Sequence, residues 1–135
     1  MSIKYKILGQ QYIGLTDVVV PGGGAYYYYG GGGTAVNETL LPVVLYTVPT
    51  GKQAIISSIY VANRDTVNRT YDLAIVPALQ TLSMKHHIRW DAPVLASDID
   101  VVSSKLTMNA GDSIYALPST ADKIGFTVFG VEVTA

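Results

Sequence analysis

His86 and His87 are the two histidines of the chain, and they are the first candidates for a hydrolytic or metal site. Adjacent residues of a strand point to opposite faces of a sheet, so one chain cannot bring both rings to one metal ion. The sequence has no Cys, which excludes disulfides, thiolate metal sites and thiol nucleophiles. We therefore assign the two histidines to ordinary strand polarity or to a hydrogen bond between subunits.

The densest acidic group is Asp91, Asp98 and Asp100. Residues i and i+2 of a strand share a face, so Asp98 and Asp100 could contact one hard cation. A calcium site needs about six to eight oxygen ligands, and the sequence has no EF-hand-like loop. Solvated acids in turns are therefore the preferred interpretation.

No motif of nucleophilic catalysis or phosphate binding is present. The sequence has no Gly-x-Ser-x-Gly elbow, and neither Gly22–Gly24 nor Gly30–Gly33 is followed by Lys-Ser/Thr and a helix. The sequence thus predicts no catalytic residue, no metal and no cofactor, and the protein is predicted not to be an enzyme.

The segment Pro21–Gly33 holds four consecutive tyrosines between seven glycines. Tyr is a rigid amphipathic side chain that is favoured at interfaces, which favours an ordered arm that contacts another subunit. A Gly-rich backbone is costly to order, so a solvated linker is the alternative. Together with Trp90, which is read as a core or interface anchor, the predicted contact residues are Tyr26, Tyr27, Tyr28 and Tyr29.

Trp90 also permits a different interpretation. Beside Arg89 it could stack on a sugar ring, and with Tyr60 and Tyr115 it would give a carbohydrate-binding sandwich for host attachment.

The composition is poor in charge. Of 135 residues, 49% are hydrophobic and 14% charged, against about 25% charged in a typical soluble domain, which suggests that part of the surface is covered in use. The formal net charge of −1 gives no attraction to nucleic acid or to an anionic membrane. The N-terminus lacks the pattern of a signal peptide, so synthesis in the cytoplasm is expected.

From Pro42 onward, β-branched and aromatic runs recur between turn signals. This pattern predicts an all-β fold, an antiparallel two-sheet β-sandwich that is jelly-roll-like. Residues 42–135 form the predicted sandwich domain, and residues 1–41 form an N-terminal segment with the Gly/Tyr-rich arm. The predicted strands are Val43–Val48, Gln53–Asn63, Thr70–Pro77, His86–Trp90, Asp100–Met108, Ser113–Leu117 and Lys123–Thr134.

Alternation assigns the faces of these strands. In Gln53–Asn63, Ile55 and Ile59 share one face, and Ile56 and Tyr60 share the other. In the last strand the apolar face switches beside Gly130, which predicts a bulge or burial on both sides. Ile59 and Phe126 are predicted to point into the core. The sequence Asn109–Asp112 is a turn signal that predicts a hairpin between the strands on either side of it.

Four blocks of the sequence resemble a family of small tailed-bacteriophage virion proteins. They read LYTVPTGKQA, ISSIYVAN, LTMNAGDSI and FTVFGVE, and they begin at Leu45, Ile56, Leu106 and Phe126. The resemblance covers roughly two thirds of the chain, and the Tyr/Gly arm at Pro21–Gly33 is not part of the family pattern.

The resemblance implies a virion β-sandwich without enzymatic activity. We expect a capsid decoration (cement) protein that stabilises the particle by bridging subunits, with a tail, baseplate or fibre-associated protein as the alternative. The expected partners are further copies of the chain, with a trimer favoured, and the major capsid or tail proteins. No nucleic acid and no membrane are expected as partners. The expected location is the virion, after synthesis in the host bacterial cytoplasm.

Overall fold

Two antiparallel sheets pack face to face in a computed structural model that describes residues 6–12, 42–103, 105–120 and 122–135. One sheet has the order β1-β9-β3-β6, with β7 also paired to β3, and the other has the order β2-β8-β4-β5. The predicted all-β sandwich is confirmed. The strands are β1 (Lys6–Tyr12), β2 (Val43–Thr47), β3 (Lys52–Asn63), β4 (Arg69–Val76), β5 (His87–Val94), β6 (Ile99–Val102), β7 (Leu106–Asn109), β8 (Ser113–Pro118) and β9 (Ile124–Thr134).

The sixth strand of the sandwich in chain order is divided into two short strands, β6 and β7. The sequence predicted one strand over Asp100–Met108, which is wrong: β6 pairs with the second half of β3, and β7 pairs with its first half. With β6 and β7 counted as one interrupted strand, the eight strands have the order of a double Greek-key jelly roll, in which successive strands change sheet except for the adjacent pair β4 and β5.

The turn Asn109–Asp112 is real, but it does not join a hairpin. The Asp112 N–H donates to the Asn109 carbonyl at 3.0 Å, and Gly111 has a φ of +89°. The strand that follows, β8, pairs with β2 and β4 in the other sheet rather than with β7. Met108 and Ile114 are both buried, so the chain crosses between sheets here and fills the core from both sides.

The strand predicted at His86–Trp90 begins later and runs further. His86 belongs to a 3-10 helix over Met84–His86, and β5 continues to Val94. A left-handed residue, Asp91 with a φ of +48°, lies inside the strand, and its N–H donates to the Asp72 carboxylate at 2.8 Å. The Asp72 carboxylate thus stabilises the irregular backbone at Asp91, and the strand does not end at Trp90 as the sequence predicted.

A bulge in β3 corrects the predicted faces of that strand. The register with β9 shifts between Ile56 and Ser58, and the Ser57 hydroxyl donates to the Phe129 carbonyl at 3.1 Å. The extra residue moves Ile56, which is 1% exposed, onto the core face that Ile59 also occupies, whereas Ile55 points outward. The bulge predicted in the last strand beside Gly130 is therefore absent from β9 and lies instead in its partner strand β3, next to Ile56, which faces Gly130.

The core lies between the two sheets, where the predicted inward residues Ile59 and Phe126 are each 1% exposed. The rings of Phe126 and Tyr71 meet edge to face across the sheets, with 6.1 Å between their centroids. The middle of the sandwich is therefore apolar throughout its thickness.

A tyrosine links the two sheets at each edge of the sandwich. The Tyr46 hydroxyl donates to Glu132 at 2.7 Å, and Lys6 donates to the other oxygen of that carboxylate at 3.0 Å. At the opposite edge the Tyr71 hydroxyl donates to Asp100. Burial, and then the bonded carboxylate, raise the pKa of both tyrosines well above the usual range. Each phenol therefore remains protonated and donates to its carboxylate.

The link at Glu132 makes stability depend on pH. The hydrogen bonds from Tyr46 and then Lys6 lower the pKa of Glu132 below its ordinary value of 4.5. The unfolded chain then binds the proton more readily, so this contribution is present at neutral pH and is lost as the pH falls below that value. We expect Glu132→Gln to lower the free energy of unfolding at neutral pH by about 1 kcal/mol.

Thermal melts at neutral pH and at about pH 3 measure this effect. The melting temperature of the Gln variant should fall less between the two conditions than that of the wild type. Asp65, whose pKa is lowered by its hydrogen bond from Arg69, is intact in both proteins and keeps part of the acid sensitivity. Parallel acid profiles would show that the Glu132 link contributes nothing.

Candidate subunit interface

The outer face of the five-stranded sheet carries no charged side chain at its outward ladder positions. These positions run from the pair Gln53/Val133 to the pair Ala62/Gly125, and they continue onto β6, β7 and the described side chains of β1. An antiparallel sheet that faces water normally presents polar residues on that side. We call this surface the charge-free face; its apolar members are Ile7, Ile55, Tyr60, Ala62, Ile99, Val101, Phe129 and Val133. Val131 also occupies an outward position opposite Ile55, but it is only 2% exposed.

Four large side chains of the charge-free face are open to solvent. Ile7 is 52% exposed, Tyr60 41%, Ile99 54% and Val101 42%. Tyr60 lies opposite Val101 in the ladder, and its ring meets Phe129 edge to face with 5.2 Å between centroids. The exposed side chains are thus neighbours across strands, and the charge-depleted, aromatic composition is that of the buried centre of a protein interface.

The backbone of β3 and β9 sets the position of this face. A Cβ on Gly130 would lie 2.3 Å from the Ile55 carbonyl oxygen, so any larger residue would push the two strands apart. Gly130 lies opposite Ile56, next to the bulge at Ser57. Glycine and bulge together keep Phe129 and Tyr60 on the same outward side.

The predicted contact residue Trp90 lies on the other sheet. It is 53% exposed and lies on the outer side of β5. Its ring meets that of His87 edge to face, with 4.7 Å between the ring centroids. The other predicted contact residues, Tyr26 to Tyr29, lie outside the described residues. The structure does not join Trp90 to the charge-free face, and its contact with another subunit stays a prediction.

Comparison with known proteins gives no family for this chain. No protein-family model matches it, and searches of curated proteins and of solved structures find no match.

The two histidines have separate local roles. His86 is 8% exposed; its Nδ1 accepts from the Ser83 N–H at 3.0 Å, and its Nε2 lies 3.0 Å from the Gln80 side-chain oxygen. His87 Nδ1 lies 3.3 Å from the Met84 carbonyl oxygen. Hydrogen bonds of both rings therefore stabilise the segment before β5.

The three acids of the densest acidic group each make a different hydrogen bond. Asp98 accepts from the N–H of Ile99, Asp100 accepts from Tyr71, and the backbone of Asp91 donates to Asp72. Among the described residues, no group of three or more His, Asp or Glu could hold a metal ion. No helix in the same ranges is long and apolar enough to cross a bilayer.

The aromatic trio considered for carbohydrate binding is divided by the fold. Tyr60 belongs to the charge-free face, whereas Trp90 and Tyr115 belong to the four-stranded sheet on the opposite side of the sandwich. A single site that uses all three is therefore excluded, and only the pair Trp90 and Tyr115 remains on one side.

Ile7, Ile99 and Val101 belong to the charge-free face, and the sequence did not assign any of the three to a face. Each comes from a short edge strand, and Ile7 is far from the others in the sequence. The one available signal was alternation in β6, where Ile99 and Val101 share a side opposite Val102.

Proposed function

We propose that this chain is a bacteriophage virion structural protein, and that it decorates the capsid and stabilises it by bridging subunits. The observation that carries the proposal is the charge-free face, a wide apolar sheet surface on a chain with only 14% charged residues. The four sequence blocks that resemble virion proteins support the same assignment. Copies of this chain contact one another through that face.

The fold is compatible with this role. Double-sheet jelly rolls occur in viral capsid domains and in lectin domains. Because one fold serves many functions, the strand order supports the proposal without deciding it. The charge-free face is what distinguishes this jelly roll from one that works alone in water.

The size of the face indicates where it works. Complete burial of an apolar side chain contributes about 1.5–3 kcal/mol, so burial of four half-exposed ones contributes about 4 kcal/mol in total. Association costs about 4–15 kcal/mol in translational and rotational freedom. Two free molecules should therefore pair weakly through this face alone. A subunit on a particle is held by several contacts at once, so the same face is effective there.

Copy number on purified particles tests the proposal. Quantitative mass spectrometry of particles from the encoding genome should find this chain in hundreds of copies, in a fixed ratio to the major capsid protein. One or a few rings of copies would favour the tail, baseplate or fibre alternative instead. Absence from the particle would overturn both assignments.

A further inference from the structure

A small cleft opens on the outer face of the four-stranded sheet, on the opposite side of the sandwich from the charge-free face. Its walls include Asp72, Leu82, His87 and Tyr115, and its volume of about 160 Å³ includes space that is open to solvent. The space open to the centre of a water-sized group is about 10 Å³, which is about the minimum that one water molecule needs. A ligand can therefore insert a single hydroxyl-sized group, and the rest of it must lie on the surface.

The polar group of this cleft is the Asp72 carboxylate, which is 8% exposed. One oxygen accepts the Asp91 N–H at 2.8 Å, and the other has no hydrogen-bond or ion-pair partner among the described residues. A carboxylate oxygen can only accept hydrogen bonds when it is ionised, and the described protein residues leave this one available. A ligand that donates a hydrogen bond here would satisfy it.

Next to the cleft stands the only Trp of the chain. Trp90 is 53% exposed, and its ring is held at 88° to the ring of His87, a wall of the cleft. His87 Nδ1 is in turn within 3.3 Å of the Met84 carbonyl, to which it donates. Asp72 also accepts the N–H of Asp91, the residue that follows Trp90. The same carboxylate therefore lines the cleft and stabilises the strand that carries the indole.

We propose that this cleft binds a neutral saccharide unit of a glycan. The apolar face of a pyranose ring packs on Trp90, and one hydroxyl of that sugar enters the cleft and donates to Asp72. Tyr115, a further wall of the cleft, adds a hydroxyl that can donate or accept. A ligand that filled the cleft alone, such as an ammonium group, would leave the exposed indole unused, because Trp90 stands outside the cleft wall.

This inference is independent of the proposed function. The charge-free face and the cleft lie on opposite sheets, so a molecule held through the former can bind a glycan through the latter.

Because Trp90 is the single Trp, its fluorescence reports on the cleft directly. The full chain is titrated with the methyl glycosides of glucose, galactose, mannose and N-acetylglucosamine, and separately with methylammonium, up to about 10 mM, which detects a Kd of about 1 mM. We expect a saturable change with at least one glycoside and none with methylammonium. Saturation by methylammonium alone, or by no probe, would overturn the proposal.

Two variants and a control separate the contributions, with binding followed by ligand-observed NMR. Trp90→Ala and Asp72→Asn should each weaken glycoside binding at least about tenfold, the effect of losing one stacking or charge-assisted contact. The Asn oxygen can still accept the Asp91 N–H, so this variant should keep the wild-type melting temperature. Val67→Ala, which removes an exposed side chain from a distant loop, should bind as the wild type does. Unchanged binding by Trp90→Ala would contradict the proposal.

Discussion

Phe126→Ala is expected to lower the free energy of unfolding by about 3 to 5 kcal/mol, the usual cost of removing a large side chain from a packed core. Phe126 is 1% exposed and packs between the sheets against the Tyr71 ring. Its removal leaves a cavity that β9 cannot close, since that strand is paired on both sides, with β1 and β3. The melting temperature should fall by about 10 to 20 °C.

Ile59→Ala tests the same core from β3 and should cost about 2 to 5 kcal/mol. The control is Val67→Ala, in which an apolar side chain is shortened at a site that is 49% exposed; this change should stay within about 0.5 kcal/mol of the wild type. Chemical denaturation of the three variants gives the comparison. Equal stabilities would mean that the sheets do not pack through these faces.

The second large effect concerns the charge-free face. The double variant Tyr60→Ser, Val101→Ser should bind particles assembled without this chain at least about tenfold more weakly than the wild type, because copies that bind side by side contact one another through this face and truncation of an interface side chain commonly costs more than about 1 kcal/mol. Both residues are more than two fifths exposed, so the sandwich should remain folded. The lost edge-to-face contact with Phe129 should cost only about 1 kcal/mol of stability.

A matched double variant controls for the general loss of apolar surface. Val67 and Leu95 are 49% and 56% exposed and lie in loops, outside the strand positions that form the charge-free face. Replacing both with Ser should leave particle binding unchanged. Equal binding by the two double variants would show that the charge-free face is not part of the assembly contact.

Alternation was sufficient to find most strands and to place Ile59 and Phe126 in the core, but it did not orient every residue of β3. β2, β4 and β9 lie within a residue or two of their predicted bounds, because each combines β-branched residues with clear turn signals. In β3 one bulged residue, Ser57, reverses the sides of Ile55 and Ile56. A bulge depends on the partner strand, so a single-strand pattern cannot place it.

Pairing between distant segments was the other limit of the sequence. Lys6–Tyr12 has too few β-branched residues to be predicted as a strand, and it becomes one by pairing with β9 at the opposite end of the chain. Turn chemistry at Asn109–Asp112 fixes a local reversal, yet it does not determine which sheet receives the next strand. The charge-free face depends on both kinds of information, because register alone brings Ile7, Tyr60 and Val101 onto one surface.

Site-specific crosslinking in assembled particles tests the central claim most directly. A photoreactive residue is placed at position 60, in the charge-free face, or at position 67, in an exposed loop that serves as the reference. We predict a crosslinked product between two copies of this chain from position 60 and none from position 67. Incorporation of both proteins into particles, with no more crosslinking from position 60 than from position 67, would contradict the assignment of the charge-free face as a contact between subunits.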